Sequence, residues 1–333
     1  MPSASSPTAS TDAAASRVPV PLRRIVAWLP TEVDARVRVF AWLSFVAEVL
    51  IIGTGGAVRL TGSGLGCPTW PRCTPDSLVN TPEMGIHGII EFGNRTLTGL
   101  VGILALAVVV LVWRMRHERR VLFVLSLIVL VGIVAQAVVG GITVLTGLNP
   151  FIVGFHYIAS VSIVAVCAAF LVFMNQPAGP RALAVPRGFA ALVHATTGVL
   201  ALTIVFGVLT TGAGPHSGDA AAGRNGFDAE VLEHVHSWPG YALFVLTLAI
   251  VVLAWRLRLD VRRWAVALLA VELVQIAVGL YQARNGLPEI AVGTHMVLAA
   301  LAAATMTVVV LRLKRPAVVE APAARRSTAS ARS

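Results

Sequence analysis

The 333-residue chain is 56% hydrophobic and only 13% charged, with a mean hydropathy of +0.81, which excludes a soluble protein built around one ordinary core. Its net charge of +10 would suggest nucleic-acid binding in a soluble protein, but here the arginines lie between apolar segments. We therefore predict an all-α integral membrane protein that has no nucleic-acid module and lies in membrane lipid.

Eight apolar segments are each long enough to cross a bilayer, which takes about 20 residues. The polar stretches outside them predict disordered tails over residues 1–35 and 316–333. The predicted spans are 37–58, 88–112, 121–146, 150–174, 188–210, 230–254, 264–283 and 288–311.

The distribution of Lys and Arg predicts the orientation of these spans. The N-terminal region through Arg38, the links after the second, fourth and sixth spans, and the C-terminal end from Arg312 hold 21 of the 26 Lys and Arg residues. By the positive-inside rule, both termini are expected in the cytoplasm. Cys67 and Cys73 then lie in an outer, oxidising loop, where we favour a disulfide over free thiols.

The chain also repeats itself, because three polar or small residues recur with the same spacing in its two halves. We expect two four-helix bundles over residues 36–175 and 188–315, joined by a cytoplasmic linker, 176–187. The recurring residues are Gln136, Gly140 and His156 in the first half, and Gln275, Gly279 and His295 in the second.

In the second half, His236 and His295 each lie near the outer end of a predicted helix and could face each other across the bundle. Two imidazoles in this arrangement are typical of ligands to a six-coordinate haem iron. The alternatives are a structural histidine pair or a zinc site. Zinc is disfavoured because further ligands are not clustered nearby, so we expect iron held through haem and no separate metal site.

The first half is less regular, because Asn94 stands where the repeat places His236. His156 is then the expected axial ligand for a bound macrocycle. His87 lies two turns before Asn94 and is either a second ligand or an interfacial residue at the helix entrance.

Glu91 is the candidate for chemistry, because a carboxylate in an apolar segment is costly and suits proton transfer. Alternatively, Arg95 one turn later neutralises it. Arg59 and Arg95 are also candidates for holding acidic groups such as haem propionates.

Several of these segments together resemble haem A synthase. No single one is specific, but their combination is, and it covers residues 35 to 312. The segments are Gly55 to Cys67 with Trp70 and Cys73, Ile90-Glu91-Phe92-x-x-Arg95, Phe155-His156-Tyr157, Thr211 to Asp219, and Thr294-His295-Met296.

The resemblance implies a bacterial cell-membrane enzyme that oxidises a ring methyl of haem O to a formyl group, giving haem A for terminal oxidases. It implies a haem b cofactor on His236 and His295, an essential Glu91, and substrate haem at His156. It also implies an outer cysteine pair with a structural or electron-relay role. The implied partners are haem O synthase, which is a protohaem farnesyltransferase, and assembly factors of terminal oxidases.

Asn94 departs from the family pattern, in which many members have histidine at this position. Two other functions stay open at this point. One is a dihaem cytochrome b that transfers electrons in the membrane, although the missing histidine counts against it, and the other is a non-catalytic haem-binding assembly factor.

Overall fold

The computed structural model describes residues 27–317, so the parts of the predicted tails before and after them lie outside the described residues. Within this range, eight helices are long and apolar enough to cross a membrane, which confirms the predicted all-α membrane fold. They are α1 Ala35–Leu60, α2 Gly85–Val112, α3 Arg120–Leu145, α4 Pro150–Met174, α5 Arg187–Ala213, α6 Ala229–Arg256, α7 Arg262–Arg284 and α8 Glu289–Leu311.

Side-chain caps begin three of the helices where the sequence changes from polar to apolar. Asp34 accepts a hydrogen bond from the backbone N–H of Val37 before α1, and Asp228 does the same for Val231 before α6. Asn149 caps α4, whose first residue, Pro150, needs no hydrogen-bond partner for its nitrogen. The caps of α4 and α6 fix the helix starts that set the depth of His156 and His236.

The two halves have equivalent helix contacts. In each half the consecutive helices pack against one another, and the first helix also packs against the fourth. Between the halves, α4 packs against α8, α1 against α8, and α4 against α5. The fourth helices therefore lie at the centre of the molecule, and the first helix of each half contacts the fourth helix of the other.

The buried hydrophobic side chains also divide between the two halves. Separate clusters of buried aliphatic side chains fill the first half and the second half. A further cluster, which includes Ile52, Val164 and Ala300, lies where α1, α4 and α8 meet. Aliphatic residues such as Ile103 and Val131 are exposed on the outer faces, as expected for helices surrounded by lipid.

A short two-stranded sheet, which the sequence did not predict, links the α4–α5 connection to the segment directly after α8. Strand β1, Arg181–Leu183, pairs antiparallel with β2, Lys314–Pro316. The Arg181 guanidinium also donates to the backbone carbonyls of Leu311 and Lys314. The segment after α8 is thereby fixed to the predicted linker as far as Ala317, whose N–H donates to the Pro180 carbonyl.

Candidate functional site

The predicted site residues lie at one depth, near the helix ends on the side of the cysteine loop. Glu91, His156, His236 and His295 are each six or seven residues from the start of their helix, or about 10 Å at the α-helical rise. All four line one continuous cavity of about 450 Å³ that extends through both halves. The structure therefore brings together residues that are far apart in the sequence.

In the second half, the rings of His236 and His295 are close and face the cavity. Their centroids are 6.2 Å apart, with an angle of 77° between the ring planes. Metal–imidazole bonds of about 2 Å from one ion to both rings would separate the centroids by about 6 Å. The pair therefore has the spacing that an iron atom between two imidazoles requires.

The two imidazoles differ in their hydrogen bonds. The Nδ1–H of His236 donates to the backbone carbonyl of Thr203 at 3.0 Å, which leaves Nε2 as the nitrogen for a metal. Nδ1 of His295 is buried without a partner, whereas its backbone carbonyl accepts a hydrogen bond from Gln275. This nitrogen lies beside Gly279 on α7, which leaves Nε2 of His295, as of His236, for a metal.

Glycines make room for these rings. A Cβ atom on Gly207 would lie 2.9 Å from Cε1 of His236, and one on Gly279 would lie 3.1 Å from Cε1 of His295. Each ring thus packs directly against a helix backbone. This fixes the ring position more firmly than contact with a mobile side chain would.

The first half has one histidine, His156, in a position equivalent to that of His295. Nδ1 of His156 is also buried without a partner, and the His156 carbonyl accepts a hydrogen bond from Gln136 at 2.7 Å. A Cβ atom on Gly140 would lie 3.5 Å from the His156 ring. The glutamine hydrogen bond and the glycine contact therefore match those of the second half, although His156 turns Nε2 toward its glycine where His295 turns Nδ1.

Asn94 lines the cavity where the second half has His236. Its side-chain oxygen accepts a hydrogen bond from the Thr54 hydroxyl at 2.8 Å, which fixes the amide. A neutral amide is a poor iron ligand, so His156 has no partner imidazole at this position. The first half can thus supply one axial histidine and leave the opposite face of an iron open.

The structure places His87 at the entrance of α2, away from the cavity. Its imidazole is exposed, does not line the cavity, and has Nδ1 2.9 Å from the Ser63 hydroxyl oxygen. His87 lies in the first turn of α2, too close to the loop to reach the level of His156. This position matches the interfacial alternative.

Glu91 is buried, and both of its carboxylate oxygens have donors. One oxygen accepts from the Arg95 guanidinium and the other from the backbone N–H of Cys67, each at 2.5 Å. Arg95 therefore does pair with Glu91, as one sequence alternative proposed. The equivalent residue of the second half, Glu233, is exposed, so burial of this carboxylate distinguishes the first half.

The same two side chains hold the cysteine loop against α2. Arg95 donates to the backbone carbonyls of Cys67, Thr69 and Arg72. The predicted disulfide between Cys67 and Cys73 is confirmed, and both cysteines are fully buried. The loop, the disulfide and Glu91 thus form one connected unit at the edge of the cavity.

A glycine allows this loop to approach α2 closely. A Cβ atom on Gly66 would lie only 2.3 Å from the His87 carbonyl oxygen. Further along the loop, Trp70 lines the cavity and packs so closely on α3 that a Cβ atom on Gly141 would lie 2.4 Å from its ring. The cysteine loop therefore forms part of the cavity wall.

Arg59, the other propionate candidate, connects the two halves. Its Nε donates to the His216 carbonyl at 2.7 Å, and one terminal nitrogen donates to the Thr211 carbonyl at 2.9 Å. The backbone N–H of Gly64 donates to the Gly218 carbonyl in the same region. The repeated loops after α1 and α5 are thereby joined above the cavity.

Sequence reasoning missed two buried carboxyl groups that also line the cavity, Glu48 on α1 and Glu272 on α7. Each is only 3% exposed. An acidic residue in the middle of an apolar span is itself a signal of function. The sequence alone therefore could have identified both residues, since each is an acidic residue within a predicted span. Neither has a counterpart in the repeat.

Comparison with known proteins shows the family of the chain. The sequence profile of the COX15-CtaA family, described as cytochrome oxidase assembly protein, matches residues 38–87 and 77–214, which is more than half of the chain. The chain belongs to the COX15-CtaA family. This confirms the family relationship expected from the motifs. The match includes Glu91, Asn94 and His156 and ends before His236 and His295.

Individual proteins that resemble the chain carry the name Heme A synthase. One from Halalkalibacterium halodurans is 27% identical over 179 residues, or 53% of this chain and 58% of that protein. One from Alkalihalophilus pseudofirmus is 27% identical over 195 residues, or 58% and 63% of the two chains. In both, the similarity spans less than two thirds of the relative. One from Listeria monocytogenes is 24% identical over 274 residues, or 79% and 88%.

Proposed function

We propose that the protein is a haem A synthase, an integral membrane oxidoreductase that converts a ring methyl of haem O into a formyl group. The observation that carries this proposal is the asymmetry of the cavity. One half presents the facing pair His236 and His295, and the other presents His156 opposite Asn94 with Glu91 at the same depth. The names of the relatives support the same activity.

In the second half, His236 and His295 would hold a resident haem b. The Thr203 carbonyl fixes the tautomer of His236 and directs Nε2 toward the metal position. Gly207 and Gly279 let both rings pack on the backbone and limit their rotation. When bound, the haem supplies reversible one-electron chemistry.

In the first half, His156 would orient the substrate, haem O. Asn94 leaves the opposite iron face open, which suits a site that must react and then release its product. Arg59 retains a terminal nitrogen that its two bonds to the His216 and Thr211 carbonyls do not use, so it is our preferred propionate anchor. Arg95 is the weaker candidate, because both of its terminal nitrogens donate within the protein.

Glu91 would accept protons released at the reacting methyl group. With water as the source of the oxygen atom, conversion of the methyl to a formyl group releases four electrons, which an external oxidant must accept, and four protons, for which a carboxylate in the cavity would be the first acceptor. Arg95 and the Cys67 N–H hold the carboxylate in one orientation. The disulfide supports this position by fixing the backbone of Cys67.

The remaining sequence expectations complete the proposal. We propose a bacterial cell-membrane location with both termini in the cytoplasm, which places the cysteine loop outside. Haem O synthase would supply the substrate, and assembly factors of terminal oxidases would receive the product. A dihaem cytochrome b is not favoured, because Asn94 removes the second ligand pair. A non-catalytic assembly factor is not favoured either, because such a protein would not need a buried carboxylate such as Glu91.

The test is expression in cells that make haem O but not haem A, followed by chromatography of the extracted haems. Haem A should appear with the wild type and be lost with Glu91→Ala. The Glu233→Ala variant is the matched control, since Glu233 is the exposed counterpart in the repeat, and it should still give haem A. Absence of haem A with folded wild-type protein would disprove the proposal.

A further inference from the structure

Glu48 lies at the floor of the first-half cavity, deeper than the other site residues. It is 12 residues before the end of α1, or about 18 Å from the cysteine-loop side, whereas His156 is about 9 Å from that side. Glu48 is 3% exposed and lines the cavity, and its Oε1 is buried with no hydrogen-bond partner. A buried polar atom without a partner is unusual and calls for a ligand or another role.

The surroundings of Glu48 are mostly aliphatic, since Val101, Ile133 and Ile163 line the cavity at or just below this depth. The hydroxyls of Thr98 and Ser160 also line it nearby, but each donates to a backbone carbonyl of its own helix. No Lys, Arg or His lines the cavity at this level of the described first half. An isolated charge in such a place is very costly, so the carboxyl is held as the neutral acid. It then offers one O–H donor and one carbonyl acceptor.

Glu272 provides an internal comparison. It lies equally deep in the second half, 12 residues before the end of α7, and is just as buried. Its Oε2 is buried without a partner, as Oε1 of Glu48 is, but its Oε1 accepts a hydrogen bond from the Thr247 hydroxyl at 2.8 Å. The protein therefore partly satisfies Glu272 itself, while Oε1 of Glu48 is left for a group that enters the cavity.

We propose that the Glu48 carboxyl binds the hydroxyl group on the side chain of haem O and so selects haem O over haem B. This inference rests on the proposed function, which makes haem O the substrate. Haem O carries a hydroxyl on the carbon that bears its farnesyl chain, on the edge away from the propionates. With the propionates toward Arg59, that edge faces the floor where Glu48 lies. Haem B has a vinyl group there and leaves the carboxyl unpaired.

The test measures binding rather than turnover. Full-length protein is purified in detergent from cells that lack haem O synthase, and is then titrated with haem O and with haem B. The ratio of the two affinities is compared between wild type and Glu48→Met. The farnesyl contribution cancels, because both proteins bind the same two haems. We expect this ratio to fall about tenfold, the effect of one hydrogen bond in an apolar site.

Two further variants control this comparison. Glu48→Gln keeps a donor and an acceptor and should keep most of the preference for haem O. Glu272→Met removes the carboxyl that Thr247 satisfies and should leave the ratio unchanged. Glu48→Ala should lose the preference as Glu48→Met does, and it replaces that variant if the methionine does not fold. Retention of the b-type spectrum reports folding in each case.

An unchanged ratio in Glu48→Met or Glu48→Ala, or an equal fall in Glu272→Met, would overturn the inference. Failure of the proposed function looks different, because wild-type protein would then make no haem A in cells, whatever the affinity ratio. If haem A forms and the ratio does not depend on Glu48, only the selection by Glu48 is wrong.

Discussion

Gly207 provides a sensitive test of the histidine pair, because the space beside His236 exists only while this residue has no side chain. The Cβ atom of a Gly207→Ala variant would lie 2.9 Å from Cε1 and 3.2 Å from Nδ1 of His236. Carbon atoms in favourable contact are about 3.5 to 4.0 Å apart, so the ring must retreat by about 0.6 Å or more.

Moving the His236 ring would also disturb the hydrogen bond that orients it. Nδ1 of His236 is 3.0 Å from the Thr203 carbonyl, and moving the ring lengthens or bends this bond. Loss of such a supporting contact typically costs about 10- to 100-fold in metal affinity. We expect Gly207→Ala to lower the affinity for haem b by about this factor.

The assay is the b-type absorbance per purified chain, followed by titration of haem-depleted protein with haem B. Gly198→Ala is the matched control on the same helix, since its Cβ atom would have no neighbour within 4 Å. Gly279→Ala, at 3.1 Å from His295, should have a smaller effect. If Gly207→Ala binds haem as tightly as Gly198→Ala, the second-half haem site is wrongly assigned.

Three other substitutions test the first half. Glu91→Gln keeps the side-chain shape but not the charge, and should abolish haem A formation while the b-type absorbance of the purified protein stays. Asn94→His restores the second imidazole, so the bound substrate should become six-coordinate and low-spin by absorption spectroscopy, and turnover should fall. Cys73→Ser opens the disulfide loop and should lower stability by about 2 kcal/mol, seen as a lower thermal midpoint. Normal haem A yield from Glu91→Gln, an unchanged spectrum of Asn94→His, or an unchanged midpoint of Cys73→Ser would each contradict the corresponding role.

The fold was largely predictable because lipid imposes simple rules on sequence. Spans need about 20 apolar residues, and all eight predicted spans correspond to helices with ends within a few residues. The repeat also predicted which residues would have equivalent contacts, as Gln136 and Gln275 show by bonding the backbone of His156 and His295. Pairing of β1 with β2 was not predictable, because three-residue strands carry no periodic signal.

The site was predictable only where it depended on helical position. Counting residues from the helix ends placed Glu91 and His156 at one depth. Sequence spacing could not show that the cysteine loop folds over α2, so that the Cys67 N–H donates to Glu91. It also could not show that Arg59 would bond the other half, because that contact joins loops that are about 150 residues apart.

The most direct test of the proposed synthase follows the reacting carbon. Membranes of the expression host that contain the protein with its b-type haem are incubated with haem O labelled with carbon-13 at the ring methyl groups. The extracted haems are then examined by chromatography and NMR. We predict that wild-type protein moves label into a formyl carbon and that Glu91→Gln does not. Recovery of unchanged haem O from folded, haem-loaded wild-type protein would contradict the assignment.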